Sequence, residues 1–290
     1  MNLFDLNGKN ALITGSTKGI GEAIARQFSN HGAKVVISSR KEDLCEQVKD
    51  DINSENPESA ISIPCNINHK EQLENLVNET NKQLGGVDIL VCNAAVNPFF
   101  GSSLNIPDDA FDKILSANIK SNHWLCNLVL PQMIEKKDGV IIIISSVGGL
   151  KGSELLGAYS ISKAADMQLA RNIAVEHGPN NIRANCISPG LVKTYFAKAL
   201  WDNPEILENT TSKAPLRRIG MPDEIAGAAA ASFEWLAFLD ASTIPKDTWL
   251  EDYYNFIQIY KCDVVFGKTK YFATTKFPKP ISYKIEFWIT

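Results

Sequence analysis

The stretch that most limits what this chain can fold into is the isoleucine run Ile141 to Ile144, entering Ser145-Ser146-Val147-Gly148-Gly149. An unbroken apolar run without alternation reads as a strand buried on both faces, the mark of a parallel sheet covered by helices. The small residues that follow let the backbone turn and present Ser146 at the strand's carboxyl end. Open α/β sheets bind their ligands at that edge. Tyr159 comes thirteen residues after Ser146, and Lys163 four residues later. If 157–177 is a helix, the two lie on one face, about one turn apart.

That spacing has a chemical use. A phenol with a pKa near 10 is a poor acid–base catalyst at neutral pH. A cation one turn away favours the phenolate, and a shift of about three units corresponds to roughly 4 kcal/mol. Tyr159 then exchanges a proton with an alcohol or carbonyl oxygen, while the Ser146 hydroxyl holds that oxygen. The plainer reading is a packed aromatic beside a solvated charge.

The amino-terminal segment adds a second constraint. Asn10 to Thr14 is a short strand entering Thr14-Gly15-Ser16-Thr17-Lys18-Gly19-Ile20-Gly21, and a helical pattern follows with Ile20, Ala23, Ile24, Ala25 and Phe28 on its apolar side. A strand, a glycine turn and a helix start together form a phosphate site, because the glycines admit close approach and the helix N–H groups face the anion. The next strand, Lys34 to Ser38, ends in Ser39-Arg40-Lys41. An NAD site calls for a carboxylate there to hold the ribose 2′-hydroxyl. Ser39 and Arg40, with Lys18 in the turn, suit a 2′-phosphate instead and so favour NADP(H). The alternative is that Arg40 and Lys41 simply open a solvated helix.

The alternation continues along the chain. Expected strands are Ile61 to Cys65, Asp88 to Cys92, residues 140–145 and Ile182 to Ile187. Expected helices are Lys70 to Leu84, closed by Gly85-Gly86, a long Phe111 to Lys136 with Pro131 kinking or re-capping it, and 157–177. Repeated β-α units with short connections give the class α/β, a doubly wound parallel sheet.

Composition narrows the function classes. The chain has 290 residues, a net charge of −4 and a pI near 5.7, which favours neither nucleic acid nor anionic membranes as partners. No apolar run reaches transmembrane length, and the first residues do not read as a signal peptide. Six scattered cysteines without a C-x-x-C pair suggest single thiols in a reducing cytoplasm, with no metal site expected.

These motifs, taken in order, resemble the short-chain dehydrogenase/reductase family over about residues 7–232. The resemblance rests on T-G-x-x-x-G-I-G at 14–21, Asn93-Ala94-Ala95, Asn118, Ser146, Tyr159-x-x-x-Lys163 and Pro189-Gly190-x-x-x-Thr194. It implies a Rossmann-type, three-layer α/β/α fold and a small-molecule substrate. It also implies that Tyr159 is the general acid/base, that Lys163 lowers its pKa and holds the nicotinamide ribose, that Ser146 positions the substrate oxygen, and that Asn118 supports a water relay to Lys163. Along the cofactor it places the 15–21 turn, Ser39, Arg40, Asn66, Ile67, Asn93, Ala94, Ala95, Pro189, Gly190, Val192 and Thr194. Cys92 to Gly101 is similar to the branch of NADP-dependent carbonyl and retinol reductases, the dehydrogenase/reductase member-4-like branch. The 3-oxoacyl-carrier reductases are close to the same pattern. Homo-oligomers, tetramers or dimers, are usual for the family. Cys92 and Ala95 depart from its N-N-A-G motif, and Asn66 stands where an Asp is usual.

The carboxyl-terminal segment departs further. Fifteen of the 25 aromatic residues fall in 233–290, and one glycine, Gly267, lies beyond Gly227. Residues 1–232 are expected to form the NADP-binding domain. Residues 233–290 are expected to form an atypical tail, either an appended segment or the product of a shifted reading frame, in which Asp263 to Phe266 is the candidate to cover the edge strand at Ile182 to Ile187. The leading expectation is an NADP(H)-dependent oxidoreductase of ketones, aldehydes or secondary alcohols, with Phe99, Phe100, Leu191, Phe196 and Trp201 as apolar walls. The alternatives are a 3-oxoacyl-carrier reductase-like enzyme and a catalytically silent scaffold.

Overall fold

The computed structural model describes residues 4–214 and 216–231. The atypical tail, including the proposed covering strand at Asp263 to Phe266, lies outside the described residues. Six strands form one parallel sheet: β1 Asn10–Thr14, β2 Lys34–Ser38, β3 Ala60–Ser62, β4 Ile89–Cys92, β5 Gly139–Ile144 and β6 Ile182–Ile187, in the order β3-β2-β1-β4-β5-β6. Helices α1 Gly19–Asn30, α2 Glu42–Glu55, α3 Lys70–Leu84, α4 Asp108–Leu115, α5 Ser121–Lys136 and α6 Gly157–His177 connect them. Short helices α7 Lys198–Trp201 and α8 Pro204–Thr211 follow β6, and α9 Pro222–Ala231 comes after them.

Alternate side chains of each central strand enter opposite cores, as strand geometry requires. Ile13, Val35, Val91 and Ile142 pack with α1, α2 and α9 through Ile24, Phe28, Ile52 and Ala229. Leu12, Val36, Leu90, Ile141 and Ile143 pack with α3, α5 and α6 through Leu73, Leu76, Val129, Met133 and Ile173. The isoleucine run is buried along its whole length because both faces are covered. The result is the expected three-layer, doubly wound α/β fold. The chain reverses direction across the sheet between β1 and β4, which opens a crevice at their carboxyl ends. None of the helices among the described residues is long and apolar enough to cross a membrane.

Two expected elements differ. The third strand is shorter than 61–65, because Pro64 has no N–H to give the ladder; Ile63 and Cys65 still donate to Ile37 and Ser39 carbonyls. The expected helix 111–136 starts earlier, after Pro107, with Asp108 and Asp109 in a first turn whose dipole favours them. It is interrupted by a π-helical turn, Ser116–Lys120, rather than by Pro131, which sits inside α5 without ending it.

Candidate active site

The candidate site residues follow the carboxyl ends of the strands. At β1 the chain enters the glycine turn with positive φ at Gly15 and Gly19, of 67° and 59°. Gly15 and Ser16 donate to the Ser38 carbonyl, and the Ser16 hydroxyl is held by Ile13 and Ser38, so the turn is fixed to β2. A β-carbon on Gly21 would lie 2.4 Å from the Gly15 carbonyl oxygen, so no larger residue fits there. No side chain caps the N-terminus of α1. A tight glycine cradle in front of an uncapped helix fits a dinucleotide pyrophosphate. Thr17 is half-buried beside it, and the Lys18 ammonium lies 4.9 Å from the centre of the Tyr195 ring.

At the end of β2, Ser39 is half-buried, and its hydroxyl contacts Cys45 Sγ at 3.3 Å. Arg40 is exposed, and no carboxylate among the described residues forms an ion pair with it. The Asn66 carboxamide accepts from the Asn68 backbone at 3.2 Å, and Ile67 packs partly into the core beside α3. The Asn93 side chain donates to the Thr14 and Gly15 carbonyls at 2.9 and 3.2 Å. It therefore fastens β4 to the glycine turn and brings Ala94 and Ala95 alongside. After β6, Pro189 accepts from Val147, Val192 bridges to Gly220, Gly190 is exposed, and Thr194 faces Gly19. The cofactor segments inferred from the sequence thus converge on one edge.

The expected catalytic residues also converge. Ser146 stands extended after β5, and its hydroxyl accepts from the Gly148 backbone at 3.1 Å and pulls the Tyr159 phenol pKa down. Tyr159 is in the first turn of α6, partly buried, and Lys163 lies fully inside the protein one turn on. The Lys163 ammonium is 5.8 Å from the Tyr159 ring centre. Asn118 sits in the π-helical turn, with its carboxamide held by the Val96 backbone at 2.8 and 3.0 Å and by Ser162 Oγ at 3.0 Å.

Two residues that the sequence reading missed complete the site. Lys163 Nζ donates to Asp166 Oδ2 at 2.8 Å and to the Ile144 carbonyl at 2.9 Å. Asn122 Nδ2 donates to Asp166 Oδ1 at 2.9 Å and to the Asn118 carbonyl at 2.7 Å. Side chains therefore link Asn118 to Lys163 along the path where the resemblance implies a water relay. The signal in the sequence was spacing alone: Asp166 three residues after Lys163, and Asn122 four after Asn118.

Lys163 lowers the Tyr159 pKa as the resemblance implies, but other causes outweigh it. Burial of the ring pushes the phenol up; Lys163 and the Ser146 hydrogen bond pull it down, and Asp166 adds to the rise. The net direction is upward. Lys163 is itself raised: burial works against its charge, but Asp166 and Tyr159 outweigh it. Burial also pushes the Asp166 carboxyl up against the pull of Lys163 and Asn122.

Beside Tyr159 a small pocket is lined by Asn97, Phe99, Gly101, Ser103, Ile106 and Leu155 to Ala158. Phe196 faces the Tyr159 ring at 6.2 Å. Phe99 therefore lines the pocket, whereas Phe196 stands against the Tyr159 ring without lining it. Phe100, Leu191 and Trp201 do not line this pocket, and the Trp201 indole donates instead to the Thr194 carbonyl at 2.7 Å. Leu155 and Leu156 were missed because a long-range bridge, Gly101 to Leu156, brings them in.

Comparison with known proteins gives concordant matches. A family model described as "Enoyl-(Acyl carrier protein) reductase" matches residues 15–243. The chain is 40% identical over 243 residues to Dehydrogenase/reductase SDR family member 4 of Bos taurus, covering 84% of this chain and 85% of the relative. Among solved structures, a 7 alpha-hydroxysteroid dehydrogenase complexed with NADH and 7-oxo glycochenodeoxycholic acid aligns with a TM-score of 0.74 and 36% identity, covering 78% of this chain and 88% of that one. A gluconate 5-dehydrogenase from Burkholderia cenocepacia in complex with NADP and tartrate aligns with a TM-score of 0.76 and 27% identity, covering 80% and 90%.

Proposed function

We propose, from the premise that the chain belongs to the short-chain dehydrogenase/reductase family, that this oxidoreductase uses NADP(H) to interconvert ketones or aldehydes and alcohols. The observation that carries the reading is the convergence of Ser146, Tyr159 and Lys163 after β5, with the Lys163 ammonium 5.8 Å from the Tyr159 ring centre and a small pocket beside them. The dinucleotide, when bound, supplies or accepts the hydride. Gly15, Thr17, Lys18, Gly19, Ile20 and Gly21 would hold its pyrophosphate, and Asn66, Ile67, Ala94 and Ala95 the adenosine side. Pro189, Gly190, Val192 and Thr194 would line the nicotinamide end, and Lys163 would take the ribose. Ser39 and Arg40 suit a 2′-phosphate, since a guanidinium without a carboxylate partner attracts an anion that an acidic residue would repel.

The protein's own groups handle the proton. The Ser146 hydroxyl fixes the substrate oxygen, and Tyr159 gives its phenolic proton to that oxygen in reduction and takes it back in oxidation. Lys163 keeps positive charge near the phenolate that forms. Phe99, Leu155, Leu156 and Phe196 give a wall for an apolar substituent.

A cytoplasmic location and a homo-oligomer, dimer or tetramer, belong to the same reading. We also retain the division into a cofactor-binding domain, residues 1–232, and an atypical tail. A second reading, reduction of 3-oxoacyl thioesters, draws support from the description of the matching family model. A silent scaffold is disfavoured by the convergence of Ser146, Tyr159 and Lys163. The test is turnover of NADPH and NADH with small diketones, aldehydes and 3-oxoacyl thioesters. Robust NADPH oxidation with diketones or aldehydes supports the first reading and thioester preference the second; absence of turnover with all three overturns both.

A further inference from the structure

We propose that Asp166, braced by Asn122, is a positioning residue that fixes the ammonium of Lys163 and opposes its charge, so that Tyr159 keeps its proton to more alkaline pH. The inference rests on the carbonyl-reductase reading. Two of the three Lys163 N–H groups go to Asp166 Oδ2 and the Ile144 carbonyl, which leaves one. Asn122 uses one amide hydrogen on Asp166 Oδ1 and the other on the Asn118 carbonyl. The carboxylate is thus gripped on both oxygens, and the run from the Asn118 backbone to Lys163 is made of side chains. All three side chains are buried, Asp166 and Lys163 at 0% and 2% exposure, so solvent does not weaken the pairing.

The ionisable neighbours come from four elements. Tyr159 and Lys163 are on α6 with Asp166, Cys126 is on α5, Cys92 on β4 and Cys186 on β6. The Cys186 thiol donates to the Asp166 backbone carbonyl at 3.4 Å rather than to its carboxylate. A hydrogen bond with Cys126, together with burial, holds the Cys92 thiol above its ordinary range, and burial does the same for Cys186, so both remain neutral. Among the described residues, Lys163 is then the one cation paired with Asp166, and Tyr159 also responds to the charge of Asp166.

The test is Asp166→Asn, which leaves the ammonium two carbonyl acceptors but removes the opposing charge. The Tyr159 phenolate is followed by ultraviolet absorbance in the protein without cofactor, as the difference from a Tyr159→Phe counterpart. It should form at a pH lower by about one unit than in the parent. The high-pH limb of kcat for carbonyl reduction should move the same way. Asn122→Ser, which loosens the brace, should give a smaller shift in the same direction. A structural role alone would lower the melting temperature and leave the titration in place. An unmoved or upward Tyr159 titration in both variants overturns the proposal. If no carbonyl is turned over, the absorbance titration still decides it, and only the functional reading fails.

Discussion

Gly19, at the start of α1, lies against the side chain of Thr194, so close that a β-carbon on the glycine would stand 3.2 Å from the threonine Cγ2. The contact joins the glycine turn to the segment after β6, which are expected to hold opposite ends of one ligand. Gly19→Ala forces a side chain into positive φ, at a cost of about 1–2 kcal/mol, and displaces Thr194. NADPH should then bind at least about tenfold more weakly, while the melting temperature falls by a few degrees. Fluorescence titration and calorimetry read the two effects separately. Unchanged affinity would show that the two segments do not share a ligand.

Cofactor choice should depend on Arg40. Arg40→Asp removes a phosphate partner and adds a repelling charge, so kcat/KM with NADPH should fall by about 100-fold and with NADH by far less. Steady-state kinetics with both cofactors measure this. Equal kcat/KM for the two in the parent protein would defeat it.

Proton transfer should depend on the phenol. Tyr159→Phe keeps the packing against Phe196 but has no proton to exchange, and kcat should drop by about 10²–10⁴-fold with NADPH affinity retained. Lys163→Ala should lower both turnover and affinity, because Lys163 is assigned to the ribose as well as to the phenol. Substantial activity in Tyr159→Phe would put the proton donor elsewhere.

Alkaline pH should weaken the fold through buried thiols, Cys65 and Cys186 among them. Burial pushes Cys65 and Cys186 up to about 12. An unfolded thiol ionises near about 8.5. Their contribution is therefore complete below that value and is lost as pH rises towards 12. The slope is at most about 1.4 kcal/mol per pH unit for each thiol. Urea unfolding between pH 8 and about 10 should show a smaller alkaline loss in Cys65→Ala than in the parent. An equal loss would remove Cys65 as a cause.

Much of this arrangement was legible in the residues. The isoleucine run, the glycine turn and the α6 motif are local patterns, and each carries its own periodicity or spacing. Helix Gly157–His177 and strand Ile182–Ile187 match their expected spans for that reason. The ionisation of Tyr159 was not legible, because its sign depends on burial and on Asp166 as much as on Lys163. Leu155 and Leu156 were hidden by the distance in sequence between them and Phe99. The π-helical turn left no trace, since five residues are too few to reveal a change of period. The tail, where composition departs most from the rest of the chain, lies outside the described residues.

That turn makes the site sensitive to chain length as well as to residue identity. Ser121 donates back to Ser116, five residues earlier, so one residue more than a regular helix needs is accommodated there. Deleting a single residue between 116 and 120 would heal the helix and leave α4 and α5 in phase with their cores. The apolar packing would survive such a deletion, but the π-turn geometry in which Asn122 reaches the Asn118 carbonyl would be lost. A microdeletion could thus disable the chemistry while sparing the fold, an outcome that single substitutions in the same five residues would reproduce only at Asn118 itself.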